Sequence, residues 1–552
     1  MLMKNDIEKY ALHNAVKYNG KATPGAVIGK LLSENPKLKD KMKDVAKEVN
    51  DMIKEVNKMK PEEQLKKLQE LAPELLEKKE KKAHELPELN NAKEGKVVMR
   101  MAPYPSGPLH IGNARPFILN DEYVKKYKGK LLLVMDDTIG SEEKNVLKEA
   151  YDLIPEGLKW LGIDFDSKIL YKSDRLEIYY KHAEELIKKE KAYVCFCDSE
   201  KLRENRRNMR ICECREATVQ KTLDNWKKMF TEYKEGGAAL RIKTSMDNPN
   251  PAFRDRVIFR ISERKHPRVG NKHRVWPLLD FSWAIDDHLL GITHIMRGKD
   301  LMIESDMEKY IWDIFGWKHA EIIHIGIVQI EGVKLSKSKA KKEVESGEYK
   351  GWDDPRTWSL QALEKRGILP EAIRSFSLSF GVNANEITVP VDNLYAENRK
   401  LIDEKANRYF FVENPKRVFI ENAPSMAAEL DLHPEDKERG KRKLNADTDF
   451  LLSDDIDKGK VYRLIHLFNF KDSKFISKEH DASLNAKLIH WLPANDENVE
   501  TEIIMPNADV RHGFAEKTVK HLKEGDIIQF ERFGFCRLDK KGDKFVFYYT
   551  HK

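Results

Sequence analysis

Two short stretches, roughly 220 residues apart, carry residue types suited to handling a polyphosphate. The first is Pro105-Ser106-Gly107-Pro108-Leu109-His110-Ile111-Gly112-Asn113. Proline and glycine set a tight turn, and glycine lets the backbone come close to a ligand. His110 and Asn113 then fall on the first turn of a helix, where free N–H groups and the positive end of the dipole favour phosphate. The second is Lys334-Leu335-Ser336-Lys337-Ser338, which with Lys339, Lys341 and Lys342 puts five lysines in nine positions with no acid among them. Taken singly, each has a plain reading: a buried, satisfied histidine, and a solvated loop. Together they describe a two-sided clamp whose cations stabilise charge on a phosphoryl group in transit. A further pattern, Cys195-x-Cys197 and Cys212-x-Cys214, sets four thiols on two knuckles 14 residues apart. That suits tetrahedral Zn²⁺ in a closed structural site, against the alternative of four free thiols. Cys536 stands alone and reads as a packing residue.

These residues need a scaffold of several domains, and 552 residues predict three to four. With 40% hydrophobic and 35% charged residues the chain is charged for a globular protein but not disordered in composition. No apolar run reaches the ~18 to 20 residues of a membrane span. The opening MLMKNDIEKY has acids and no apolar region, so no secretory signal is expected. Five cysteines exclude a disulfide scaffold, and their C-x-C pairing suits a reducing compartment. The net charge of +7 permits a polyanionic partner without requiring one.

Residues 1–95 are rich in Lys and Glu; Leu38, Met42, Val45, Val49, Met52, Val56 and Met59 form an a/d seam. A second amphipathic run (Leu65, Leu68, Leu71, Leu75) should be broken or kinked at Pro73, giving a helical hairpin or a partner-docking helix. Lys96–Met101 and Lys130–Met135 read as strands flanking the glycine-rich turn and a helix, the pattern of a parallel α/β domain. Residues 191–275 lose that pattern and read as an insertion. It resumes at Trp276, with Ile322–Gln329 expected as one strand. Residues 353–410 read as helical, and β runs alternate with turns after about residue 412, as in β-barrels.

The blocks RMAPYPSGPLHIGNAR (100–115), LKWLGIDFD (158–166), GITHIMRGKD (291–300), GWDDPRTWSLQAL (351–363) and NRYFF (407–411), with KLSKS, carry a resemblance over residues 96–552. The chain resembles the class I aminoacyl-tRNA synthetases, whose paired signatures are HIGH and KMSKS, and within them the glutamyl-tRNA synthetases of archaeal type. That resemblance implies an N-terminal helical extension (1–95), a split Rossmann catalytic domain (96–190 and 276–345) and an acceptor-binding insertion (191–275). It further implies a helical connector (346–411) and anticodon-binding β-barrels (412–552).

The same resemblance implies residue roles. Pro108, His110, Gly112, Asn113, Lys334, Ser336 and Lys337 would bind ATP, with Mg²⁺ accompanying it. Of these, His110, Asn113, Lys334 and Lys337 would stabilise the reacting phosphates. Arg100, Ala102 and Tyr104 would surround glutamate, Asp136 would receive its α-ammonium group and Arg297 its side-chain carboxylate. A guanidinium matches a carboxylate in a bidentate pair and an amide poorly, so Arg297 argues against a glutaminyl enzyme; the plain alternative is an arginine in a structural salt bridge. Cys195, Cys197, Cys212 and Cys214 would hold Zn²⁺ near the acceptor end of tRNA. Residues 201–228, with nine Lys/Arg against four Asp/Glu, suit a phosphate-facing surface or, alternatively, a solvated helix face.

Three departures stand out: Asn113 ends the HIGH block, VMDDTIG replaces the usual RxDDTDP, and Leu279 stands where many relatives have tyrosine. The expectation is a cytoplasmic, monomeric ligase joining L-glutamate to tRNA(Glu), with charging of tRNA(Gln) left open. The alternatives are a glutaminyl-tRNA synthetase and a non-catalytic tRNA-binding relative.

Overall fold

The lysine- and glutamate-rich front folds on a core of its own. The computed structural model describes residues 4–17, 20–34, 38, 42–75, 86–141, 145–333, 337–453 and 455–552, in two compact units, Met1–Glu85 and Leu86–Lys552. The first unit holds helices α1 (Lys4–Lys17), α2 (Pro24–Glu34), α3 (Met42–Val56) and α4 (Pro61–Leu71), rather than a single hairpin. The a/d seam is the buried face of α3: Val45, Val49, Met52 and Val56 pack with Leu12, Val27, Leu31 and Leu68. The alanines of α1 (Ala11, Ala15) let the helices approach, which is why that helix carries so little hydrophobic signal in sequence. Helix α4 ends at Leu71, ahead of a single 3₁₀ turn at Pro73–Leu75.

In the second unit β1 (Val98–Met101) and β2 (Lys130–Met135) run parallel, joined by α5 (Ile111–Lys126). Past β2 come α6 (Ala150–Trp160), β3 (Leu170–Tyr171), which pairs parallel with β2, and α7 (Leu176–Lys188). After the insertion, α10 (Leu279–Leu289) leads to β8 (His294–Gly298), α11 (Met302–Phe315) and β9 (Glu321–Ile325), with β8 and β9 parallel. The Thr293 amide donates to the Val98 carbonyl at 2.9 Å and lays the β8 side of the sheet beside β1. The resulting order, β3-β2-β1-β8-β9, is that of a doubly wound sheet with its ligand edge at the carboxyl ends of β1 and β2.

The period-2 alternation of strands sorts its side chains between two cores. Met99, Met101, Leu131, Leu133 and Met135 pack with α5 and α6, while Leu132 and Val134 face α7 and α10. Each fully buried aliphatic side chain of this kind contributes about 1.5–3 kcal/mol. Arg100 and Asp136 continue the second alternation, so both turn toward α10.

The insertion is an antiparallel sheet, β4 (Ala192–Cys195), β5 (Ala239–Ile242), β6 (Val257–Ile261) and β7 (Val275–Pro277), with α8 (Ser199–Arg207) and α9 (Val219–Met229). The expected single strand over 322–329 is two: β9 stops at Gly326, and β10 (Val328–Ile330) pairs with β11 (Ile387–Val389) instead. A Cβ at Gly326 would stand 1.8 Å from the Asn385 carbonyl oxygen, so that crossing admits no side chain. Short helices α12 (Lys337–Glu345), α13 (Leu360–Lys365), α14 (Pro370–Leu378) and α15 (Asp392–Ile402) complete this region, with β11 interrupting the expected helical stretch.

At the C-terminus a seven-stranded sheet begins with Arg408–Tyr409 and ends with Phe411–Glu413, consecutive pieces of one chain, so it curls into a near-barrel. Three smaller sheets between residues 416 and 493 share a separate core around Phe450, Phe468 and Trp491. No helix among the described residues is long and apolar enough to cross a membrane.

Candidate active site

At the carboxyl ends of β1 and β2 lies a cavity of about 680 Å³, lined by Ala102, Tyr104, His110, Asn113, Asp136 and Trp283 among others. His110 caps α5: its Nδ1 accepts from the Gly112 amide at 3.1 Å, and Asn113 Oδ1 accepts the His110 amide at 3.5 Å. This reciprocal capping holds both polar side chains at the helix mouth. With Nδ1 an acceptor, the neutral imidazole carries its proton on Nε2 and can donate from it. Lys341 and Lys342, from the lysine run, also reach the lining, so cations and the α5 N-terminus border one space. Lys334 and Ser336 lie outside the described residues, and Lys337 is the first residue of α12, one turn before Lys341. Pro108 and Gly112 shape the turn without lining the cavity.

Asp136 is buried at the cavity wall. Its backbone amide bonds the Pro103 carbonyl at 3.0 Å, and its carboxylate meets the Lys172 ammonium at 3.3 Å. One cavity thus has a capped helix N-terminus and a buried carboxylate on its wall.

Comparison with known proteins shows the family. Residues 96–404 match the family described as tRNA synthetases class I (E and Q), catalytic domain. Residues 406–489 and 488–539 match the two anti-codon binding domains of the same family. The chain belongs to the class I tRNA synthetases of the E and Q family. Over its full length it is 45% identical to the whole of the glutamate–tRNA ligase of Methanocaldococcus jannaschii and 44% identical to that of Methanococcus maripaludis. It is 47% identical to the Pyrococcus furiosus glutamate–tRNA ligase over 99% of each chain.

In this synthetase, Arg100 and Arg297 are not on the cavity surface but one layer behind it. Arg100 makes a bidentate pair with Asp287 (2.7 and 2.8 Å), and Arg297 makes one with Glu308 (2.6 and 3.0 Å). Helical spacing explains both partners: Trp283 and Asp287 are one turn apart on α10, as are Ser305 and Glu308 on α11. Between these pairs and the cavity stands Trp283, ringed by three buried cations. Arg100, Lys172 and Arg297 lie 4.7, 5.1 and 4.6 Å from its ring. Lys172, wholly buried, also donates to Ser282 Oγ at 2.8 Å, and burial pulls its ammonium below the ordinary lysine value while Asp136 pulls it back up.

Sequence reasoning missed Lys172, Trp283, Asp287 and Glu308. The first precedes a helix in an ordinary turn, and the others sit inside amphipathic helices where they read as packing or solvated residues. Leu279 lines the cavity and offers no hydroxyl there.

The four knuckle cysteines converge, with all their sulfurs within 4.8 Å of one another. Cys195 and Cys212 are buried with Sγ–Sγ 3.8 Å, close to the edge of a tetrahedron with Zn–S near ~2.3 Å. The buried Arg241 guanidinium reaches Cys195 Sγ at 3.4 Å and offsets thiolate charge. Of the nine basic residues in 201–228, seven are exposed; Arg206 and Arg215 turn inward to the carbonyls of Arg254 and Thr244.

Proposed function

We infer that the chain is a glutamate–tRNA ligase, acting as a cytoplasmic monomer that charges tRNA(Glu). Glutamate first attacks the α-phosphate of Mg²⁺-bound ATP to give glutamyl-adenylate and pyrophosphate. A hydroxyl of the terminal tRNA ribose then takes the glutamyl group and releases AMP. Neither step demands a strong protein base, so positioning and electrostatics dominate. His110 and Asn113 receive the phosphates at the α5 mouth, Lys334 and Lys337 stabilise the pentavalent α-phosphate, and Asp136 holds the substrate ammonium. Ala102 and Tyr104 close the cavity around the amino acid.

The observation that supports glutamate is a pair of orphaned donors. Nε of Arg297 and Nε1 of Trp283 are buried with no hydrogen-bond partner, and both belong to the same cation–ring contact. An unpaired buried donor costs about 1–3 kcal/mol, so each wants an acceptor. Glu308 occupies the Nη1/Nη2 edge of Arg297 and Asp287 stands 3.9 Å from Nη2, so Nε is the donor left on its second edge for the side-chain carboxylate of glutamate, which meets it once the Trp283 ring turns aside.

Acylation of purified tRNA(Glu) and tRNA(Gln) with labelled glutamate and labelled glutamine tests this. Glutamate on tRNA(Glu) is the expected outcome, and glutamate on that tRNA alone would make the enzyme discriminating. Glutamate on both tRNAs would make the enzyme non-discriminating, and glutamine loading would overturn the role of Arg297.

The Cys195, Cys197, Cys212 and Cys214 cluster fits Zn²⁺, which would clamp the knuckle whose basic surface faces the acceptor end of tRNA. Elemental analysis is expected to find close to one zinc per chain, falling to near zero in Cys212→Ser. A Cys212→Ser protein with undiminished zinc would remove the site.

A further inference from the structure

Glu308 and Asp287 share one buried compartment with Arg100 and Arg297, and none of the four is more than about 5% exposed. The four charges sum to zero, and the two pairs touch through Arg297 Nη2 and Asp287 Oδ2 at 3.9 Å. Ser305 borders this corner: its hydroxyl donates to the Leu301 carbonyl at 3.0 Å, and its Oγ accepts from Arg297 at 3.3 Å and lies 2.9 Å from His324 Nε2 on β9. On the cavity side of Trp283 a second buried pair, Lys172 and Asp136, is neutral as well. The charges around Glu308 are therefore paired before any substrate enters, while Arg297 Nε is left as an unused donor.

Binding of glutamate breaks this balance unevenly. Its ammonium group goes to Asp136, and its side-chain carboxylate brings a third negative charge to the compartment that holds two guanidinium groups. Desolvated charge without a partner is costly, and the relief open to a carboxylate is to bind a proton. Glu308 is the group placed to do so. Asp287 is held by Arg100 through both oxygens, whereas Glu308 must share Arg297 with the incoming ligand.

We propose that Glu308 is a positioning residue that presents the free edge of Arg297 to the substrate and takes up a proton from solvent when the glutamate side-chain carboxylate binds there. This rests on the reading that Arg297 receives that carboxylate. Burial already pushes the Glu308 carboxyl up to about 7, with Arg297 opposing the rise and Asp287 adding to it. The proton lands on a Glu308 oxygen, so Arg297 turns from an internal ion pair into the partner of the ligand. Its full charge then discriminates against glutamine. Because binding consumes a proton, glutamate affinity falls as pH rises above about 7.

The test is calorimetric titration of the full chain, at about pH 8, with the sulfamoyl analogues of glutamyl-adenylate and glutaminyl-adenylate, in two buffers of different ionisation enthalpy. Protonation of the ammonium group is common to both analogues and cancels in their difference. The expected result is an excess uptake approaching one proton for the glutamyl analogue, which Glu308→Gln abolishes while binding persists. Equal proton counts for the two analogues, with the glutamyl one binding far more tightly, would overturn the proton uptake alone. So would excess uptake that survives in Glu308→Gln. Equal affinity for the two analogues would instead overturn the assignment of Arg297.

Discussion

Replacing Arg297 with methionine is expected to lower kcat/KM for glutamate by on the order of 10⁴, because a site built around a charged donor loses its partner outright. The same change leaves Glu308 buried without a counter-charge, which costs about 3–5 kcal/mol of stability. The double variant Arg297→Met/Glu308→Leu removes both halves of the pair and should recover most of that stability, since an apolar pair of similar size fills the space. Activity should stay lost. Denaturant unfolding and aminoacylation rates on the two proteins separate the outcomes. Recovered activity in the double variant would make Arg297 a purely structural residue. Stability unchanged in the single variant would mean that the Arg297–Glu308 pair at 2.6 and 3.0 Å is energetically idle.

Lys337→Ala should lower the rate of ATP–pyrophosphate exchange by about 10²- to 10³-fold, the loss typical of one donor aimed at developing transition-state charge. The glutamate KM should move by less than about threefold, because the role proposed for that lysine is on the phosphate and not on the amino acid. Lys337 opens the helix whose next turns bring Lys341 and Lys342 to the cavity, so the phosphate side keeps two cations when it is removed. A variant with weakened glutamate binding and a normal exchange rate would contradict the assignment.

The amino-acid order alone determined a great deal here. Strand, glycine turn and helix at 96–126 are written in local patterns: buried alternation in Val98–Met101, a Pro/Gly turn, and a capping His110 with Asn113 three residues on. Such features depend on neighbours within a few positions, and the knuckle cysteines, two pairs each spaced by one residue, are of the same kind. The motifs at 110–113 and 334–337, met in one chain, were enough to point to a phosphate clamp and to its family. The break at Gly326 was not visible, because the obstacle to a continuous strand is the Asn385 carbonyl, 59 positions away in sequence.

What only the tertiary structure decided is the layer behind the amino-acid pocket. Arg297 was identified in sequence as a carboxylate reader, yet nothing local announces that Glu308 already holds one edge of it or that Trp283 separates it from the cavity. Lys172 comes from the turn before α7 to reach Asp136 just past β2, and Asp287 from α10 to reach Arg100 on β1. Opposite charges far apart in sequence show no periodicity, and their value depends on being desolvated together, which is a property of packing. The chain's order specifies which groups are the candidates to meet a substrate; the fold sets how those groups are paired and held.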